Sequence, residues 1–131
     1  MRVAVIGATG TIGSAVVKAL AGHEVVPVSH SGGDLRVDLG SAESVRALYR
    51  KLGAVDAVVS CAGNARFGPL DQLTDEDFRF SLGNKLMGQV NLVRYGWDHV
   101  RDGGSFTLTS GVLGRHPVPG SAAVSVVNAG V

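Results

Sequence analysis

The chain has 131 residues, 45% hydrophobic and 18% charged, which suits one domain with a real core and excludes a disordered chain. Its net charge of +1 comes without a basic block, so nucleic acid is not an expected partner. A single cysteine, Cys61, excludes an internal disulfide, and no apolar run reaches membrane-spanning length; the expected compartment is the cytoplasm, with no membrane partner.

Arg2–Ile6 is short and β-branched and reads as a buried parallel strand. It runs into Gly7-Ala8-Thr9-Gly10-Thr11-Ile12-Gly13, and that turn opens onto a helix over Ser14–Ala21, ended by Gly22. A strand, a glycine turn and a helix in this order make a phosphate cradle. The first glycine permits the tight turn, the second lets backbone approach a pyrophosphate, and the third lets helix and strand pack closely. The helix N-terminus then faces the anion, and Thr9 and Thr11 add hydroxyl donors. A glycine-rich turn without a ligand has the same composition, but the flanks on both sides favour a dinucleotide.

Glu24–Ser29 reads as a second strand despite Pro27, followed by a turn at Ser31–Asp34 and a brief third strand over Leu35–Leu39. Ser41 reads as the cap of a helix carrying Val45, Leu48 and Leu52 and closed by Gly53. Val55–Ser60 is the fourth strand, with the loop Cys61-Ala62-Gly63-Asn64 after it. Thr74 then caps a long helix to about Val100, with Asp75, Glu76 and Asp77 at its positive end. Its glycines 83, 88 and 96 are costly in a helix unless another backbone packs against them. Gly103-Gly104 reads as a turn, Ser105–Thr109 as the fifth strand, and Ser121–Val131 as a further helix that looks cut off, so the natural chain is expected to continue. Alternating strands and helices imply an α/β, Rossmann-type doubly wound parallel sheet of order 3-2-1-4-5, helices on both faces, with the site at the carboxyl ends of strands one, four and five.

At this point the residues resemble the short-chain dehydrogenase/reductase family over the whole chain. Gly7–Gly13 resembles the GxxGxxG turn of its extended and atypical members. Val37-Asp38-Leu39 is similar to the segment bordering the adenine, and Ser60-Cys61-Ala62-Gly63 resembles the Asn-Asn-Ala-Gly loop after strand four. The resemblance implies that Gly7, Thr9, Gly10, Thr11, Ile12 and Gly13, with Asp38, Leu39, Cys61, Ala62 and Gly63, contact a nicotinamide dinucleotide. It also implies subunit pairing through the long helix.

The family's catalytic residues do not carry over. Its members use a serine, a tyrosine thirteen residues later as proton donor, and a lysine four beyond that. Aligned on Gly114, those positions fall on Gly111, Val124 and Asn128, and the family's helical asparagine falls on Lys85. A valine has no proton to give. Lys85 is therefore the candidate proton donor or anion-binding residue, with a solvated helix lysine as the plain alternative. Ser110 is a second candidate, able to shift into the missing serine's role or simply to satisfy local backbone. Asn128 retains at most a cofactor contact without charge. Cys61 reads as a small hydrophobe rather than a nucleophile, and His23, His30, His99 and His116 have no metal-ligand spacing. His116 lies near the expected substrate mouth, where a substrate contact and a plain loop both fit, while Tyr49 and Tyr95 fall away from the site.

Two functions follow: an NAD(P)-dependent oxidoreductase acting on a small carbonyl or alcohol, or a nucleotide-binding sensor or regulator without turnover. The end of strand two, Ser29-His30-Ser31, carries no acid to repel a 2′-phosphate, so NADP(H) is expected over NAD(H), which also remains compatible. Asp34, set off by two glycines, is the rival residue.

Overall fold

Val3, Ala4, Val5 and Ile6 are all buried, which places β1 (Arg2–Ile6) in the middle of the sheet. The computed structural model describes every residue from Met1 to Val131. Five parallel strands lie in the order β3-β2-β1-β4-β5, with β2 over Glu24–Ser29, β3 over Leu35–Arg36, β4 over Val55–Ser60 and β5 over Val100–Thr107. Alternate side chains of β1 go to opposite faces. Ala4 and Ile6 join the larger core with Val45, Leu48, Tyr49 and Leu52 of α2 (Ala42–Leu52). Val3 and Val5 join a smaller core against Val16, Val17 and Leu20, from α1 (Thr11–Ala19) and its C-cap. No helix is long and apolar enough to cross a membrane.

Strands β1, β2 and β4 begin and end where the sequence predicts. Pro27 is tolerated because the carbonyl of Val28 faces β1, so the neighbouring Pro27 nitrogen faces the other side, and β3 pairs only from Val28 onward. Helix α1 starts at Thr11, earlier than expected, because extended Gly10 is already its N-cap and accepts from Ser14 N at 2.8 Å. Strand β3 is shorter than expected. Asp38 N donates to Ser44 Oγ (2.9 Å), which turns the backbone towards α2 and out of the ladder. Strand β5 starts at Val100, and Gly103-Gly104 form part of a bulge inside it rather than a turn before it: Val55 pairs with Val100 but Ala57 with Ser105. Gly103 takes φ 77° there.

The long helix is three helical pieces in succession: α3 (Asp75–Ser81), a π-helical stretch over Leu82–Met87, and α4 (Gly88–Gly96), then a 3₁₀ turn at Trp97–His99. Thr74 and Asp77 form a reciprocal capping box at its start. Hydrogen bonds from the Thr74 backbone and hydroxyl hold the Asp77 carboxyl below its ordinary pKa. Its three glycines differ from the sequence expectation. Only Gly88 meets backbone: a Cβ there would lie 2.7 Å from Leu39 Cβ and 2.9 Å from Leu39 O. Gly96 instead makes room for the Tyr49 ring, whose buried hydroxyl donates to Leu92 O at 2.6 Å. Gly83 faces open space. Helix α5 (Ala122–Gly130) packs against α3 and the π-helical stretch.

Gly88→Ala is therefore expected to destabilise the fold by about 1–3 kcal/mol, since Leu39 backbone cannot retreat. Gly83→Ala is expected to be neutral or stabilising by up to ~1 kcal/mol. Urea unfolding of the two variants checks this, and coincident midpoints would contradict it.

Candidate cofactor and active site

The glycine turn has two glycines required by packing and one that is not. Gly7 adopts φ 81°, and a Cβ on it would lie 2.9 Å from Ala62 Cβ and 3.1 Å from the Cys61 carbonyl carbon. A Cβ on Gly13 would collide with the carbonyl of Gly7. Gly10, by contrast, has φ −77° and meets only Gly7 O at 3.4 Å. The protein itself tolerates a side chain at residue 10, so the open space there faces outward. The first intrahelical bond of α1 is Ser14 N to Gly10 O, which leaves the amides of Thr11, Ile12 and Gly13 without helical acceptors. No acidic residue lies in this first turn. Free N–H groups, the positive end of a helix and an open glycine together fit a pyrophosphate.

A cavity of about 280 Å³ opens beside the turn. Gly7, Thr9, Gly10, Ser29 and His30 line one side of it, and Leu39, Cys61, Ala62 and Gly63 the other. Val37 and Ile6 add apolar wall, and no carboxylate lines it. Of the other predicted contacts, Thr11, Ile12 and Gly13 form the adjoining helix turn rather than the wall, and Ser31 is exposed outside it. Asp38 also points elsewhere, its carboxylate accepting from Gly40 N at 2.8 Å. The Ser29 hydroxyl is engaged with its own turn, accepting from Gly32 N (3.0 Å) and donating to Gly32 O. Burial raises the Cys61 thiol pKa, which keeps it from being a ready thiolate. Sequence reasoning missed Asn64 and Asn84. Both line this cavity, and Asn84 Oδ1 accepts from Asn64 N at 2.7 Å. The polar pair Asn84-Lys85 amid apolar helix residues was the available signal.

A second cavity of about 370 Å³ shares Gly63 and Asn64 with the first. It brings together Lys85, Ser110, Gly111, Val124 and Asn128. The four positions onto which the sequence resemblance carries the family's catalytic residues thus meet in one place. Gly63, at φ 133°, comes so close to Lys85 that a Cβ would lie 3.2 Å from Lys85 Cα. Lys85 sits in the π-helical stretch, a distortion frequent at functional sites. Its ammonium donates to Thr109 O at 3.3 Å, and burial lowers its pKa from the ordinary lysine value. Fully buried Gln89, which the sequence reading passed over, holds this arrangement. It accepts from Thr109 N (2.9 Å) and donates to Thr109 O (3.0 Å) and Lys85 O (3.3 Å). The Ser110 hydroxyl donates to Asn128 O at 2.5 Å, so its proton is committed to backbone. His116 lines neither cavity. Tyr49 is buried in the core, and Tyr95 Oη accepts from Arg46 at 2.9 Å.

The family model described as enoyl-(acyl carrier protein) reductase matches residues 2–131, and the chain belongs to the short-chain dehydrogenase/reductase family of oxidoreductases. The crystal structure of the protein lin1944 from Listeria innocua superposes with a TM-score of 0.96 at 40% identity, covering 99% of this chain and 66% of that one. A small-chain dehydrogenase solved in complex with NADPH superposes with a TM-score of 0.89 at 27% identity, covering 99% and 59%. Hydroxynaphthalene reductase arp2 of Aspergillus fumigatus is 35% identical over 78 residues, which are 60% of this chain and 29% of that protein. The chain therefore spans less than two thirds of these solved relatives, and its match covers under a third of the curated one.

Gly10→Val is expected to leave folding intact, because the nearest protein atom is in ordinary contact distance, yet to remove NADPH binding by filling the phosphate approach. Fluorescence titration with NADPH, beside a melting curve, measures both. A variant that binds as tightly as the parent would contradict the assignment of the turn.

Proposed function

We propose that the chain is an atypical NADP(H)-dependent oxidoreductase that interconverts a small carbonyl and its alcohol, with Lys85 as the proton partner. The observation that carries this reading is the continuity of the two cavities. Gly63 and Asn64 line both, so a dinucleotide with its pyrophosphate over Gly7–Gly13 has a path towards Lys85. When bound, the cofactor supplies or accepts hydride; the chain supplies position and protons. The half-buried Lys85, aimed by the Gln89 clamp, holds the proton where charge develops on a substrate oxygen. The family's oxidoreductases and the hydroxynaphthalene reductase relative support redox chemistry.

A preference for NADP(H) is supported by the NADPH-bound neighbour and by the absence of a carboxylate from the first cavity. Asp34 lies outside that cavity, and with Ser29 tied into its turn the contact to a 2′-phosphate falls to His30. NADPH is thus expected to bind more tightly than NADH in parallel titrations; tighter NADH overturns the preference.

A protein that binds cofactor without turnover is the second reading, favoured by one observation: Val124, at the position of the family's proton-donating tyrosine, is buried and has no ionisable group. Steady-state assays with NADPH and a panel of aldehydes, ketones and quinones decide between them. If Lys85 is the donor, carbonyl reduction needs its protonated form, and burial has lowered its pKa. The rate then falls on the alkaline side through a pKa below the ordinary lysine value of about 10.4. Lys85→Met should lower kcat more than it raises KM and remove that alkaline limb. Unchanged kcat would return Lys85 to a solvated helix residue.

A further inference from the structure

We infer that the carboxamide of Asn128 is the group that hydrogen-bonds the reacting oxygen of the substrate, in the space left by Gly111. The inference rests on the oxidoreductase reading above and adds a residue to that site. Asn128 is only 8% exposed, and its Oδ1 is buried with no donor. Its Nδ2 makes no hydrogen bond to the protein either, and the Ser110 hydroxyl donates to the backbone carbonyl rather than to the amide. A buried amide oxygen without a donor is costly, and the Nδ2 beside it is free to donate to a partner from outside the chain. The cavity wall it belongs to also carries Lys85 and Val124.

The local backbone is built around this amide. Gly111 has φ −157°, an extended conformation open to any residue, so the backbone does not require glycine there. The amide does: a Cβ on Gly111 would lie 2.9 Å from Nδ2, 3.3 Å from Cγ and 3.4 Å from Oδ1. Where the family places a serine side chain, this chain has an empty position filled from the opposite side by Asn128. Ser110 fixes the Asn128 carbonyl, and Gly114 lets α5 come close, since a Cβ there would lie 2.9 Å from Ala129 N. Ser110 is thus a positioning residue, and the loss of serine at 111 and the presence of asparagine at 128 form one coupled change.

A carboxamide suits both oxidation states of a substrate. A carbonyl oxygen, and the alcohol oxygen it becomes, both accept from Nδ2. In the reductive direction the carbonyl carbon would take a hydride from bound NADPH, which would be oxidised in turn. The carbon–oxygen π pair moves onto oxygen, and one N–H bond of the Lys85 ammonium breaks to protonate it. The neutral amine that remains is reprotonated by water, while Asn128 gives a hydrogen bond and no proton. No carboxylate lines the cavity to oppose negative charge on that oxygen, and Ala65, Phe67, Leu113 and Val124 make the rest of the wall apolar. The substrate class is a ketone or aldehyde with an apolar body, matched to this wall.

para-Nitrophenol, whose phenolate is yellow, tests this without turnover. With NADP⁺ present, the parent should bind the probe and shift its ionisation to lower pH. Asn128→Asp should weaken binding by about tenfold or more, the loss of one charge-assisted hydrogen bond. Gly111→Ser should weaken it too by displacing the amide, and Gly111→Ser/Asn128→Ala should recover to within about threefold of the parent, because the serine hydroxyl takes the vacated place. Melting curves accompany each variant; if Asn128→Asp melts early, Gly111→Ser and the double variant decide. A parent that ignores the probe, an Asn128→Asp protein that folds and binds like the parent, or a double variant no better than Gly111→Ser overturns the assignment. Titrating NADPH on the same samples separates the two readings. A parent that takes up the phenolate but not NADPH loses the redox reading and keeps the oxygen site. One that binds NADPH while the probe is indifferent to Asn128 loses only the oxygen site.

Discussion

The arrangement depends on three strand ends being locked together at Ile6 and Gly7. Gly7 N and Ala8 N both donate to Val28 O, at 2.8 and 3.1 Å, and Cys61 N donates to Ile6 O at 2.8 Å. The carboxyl ends of β1, β2 and β4 are thereby fixed within one or two hydrogen bonds of each other. Gly7 can turn sharply only because Ala62 and Cys61 face a missing side chain, and α1 can start immediately only because Gly13 lies on the carbonyl of Gly7. One tight junction sets the helix axis, the mouth of the first cavity and the path of the loop that reaches Lys85. This is the crevice expected where the strand order of an open parallel sheet reverses.

That junction was legible in the sequence because its requirements are local. A β-branched run, glycines at fixed spacing and an apolar helix start are each visible without tertiary knowledge, and so β1, β2 and β4 carry the predicted bounds. Errors came where a distant partner decides the outcome. Helical periodicity predicts continuity from Asp75 onward, and nothing in it marks the π-helical stretch, which lies where Gln89 reaches across to Thr109. The glycine pair at 103 and 104 carries turn chemistry, but pairing of β5 with β4 continues on both sides of it. Asp38 sits where family resemblance expects an adenine contact, while its own local turn with Gly40 claims the carboxylate. At Asp38 the competing contact is instead local, a side-chain hydrogen bond two residues along the chain.

The second cavity shows why reading one substituted position at a time was insufficient. Taken singly, the glycine, asparagine and valine that the sequence resemblance sets at the family's serine, lysine and tyrosine positions suggest the decay of a catalytic site. In three dimensions Gly111 and Asn128 are complementary, since the amide occupies the volume a side chain at 111 would need. Decay would not be expected to leave a buried amide oxygen without a donor, because an unpaired group costs about 1–3 kcal/mol and an apolar replacement would relieve it.

Lys85 presents the same balance in charged form. Half-burial disfavours its ammonium, and the compensation within the chain is one long bond to Thr109 O. A lysine whose folded-state pKa lies below its unfolded value lowers stability at neutral pH and recovers it as pH rises through the shifted range. The chain nevertheless commits Gln89 to holding this residue's carbonyl and the end of β5 in register. An alkyl side chain at 85 would avoid the desolvation while packing against the same glycine, Gly63. A charge held at a cost, by a buried clamp, beside an amide with open valences, is the pattern of a site that trades stability for a ligand.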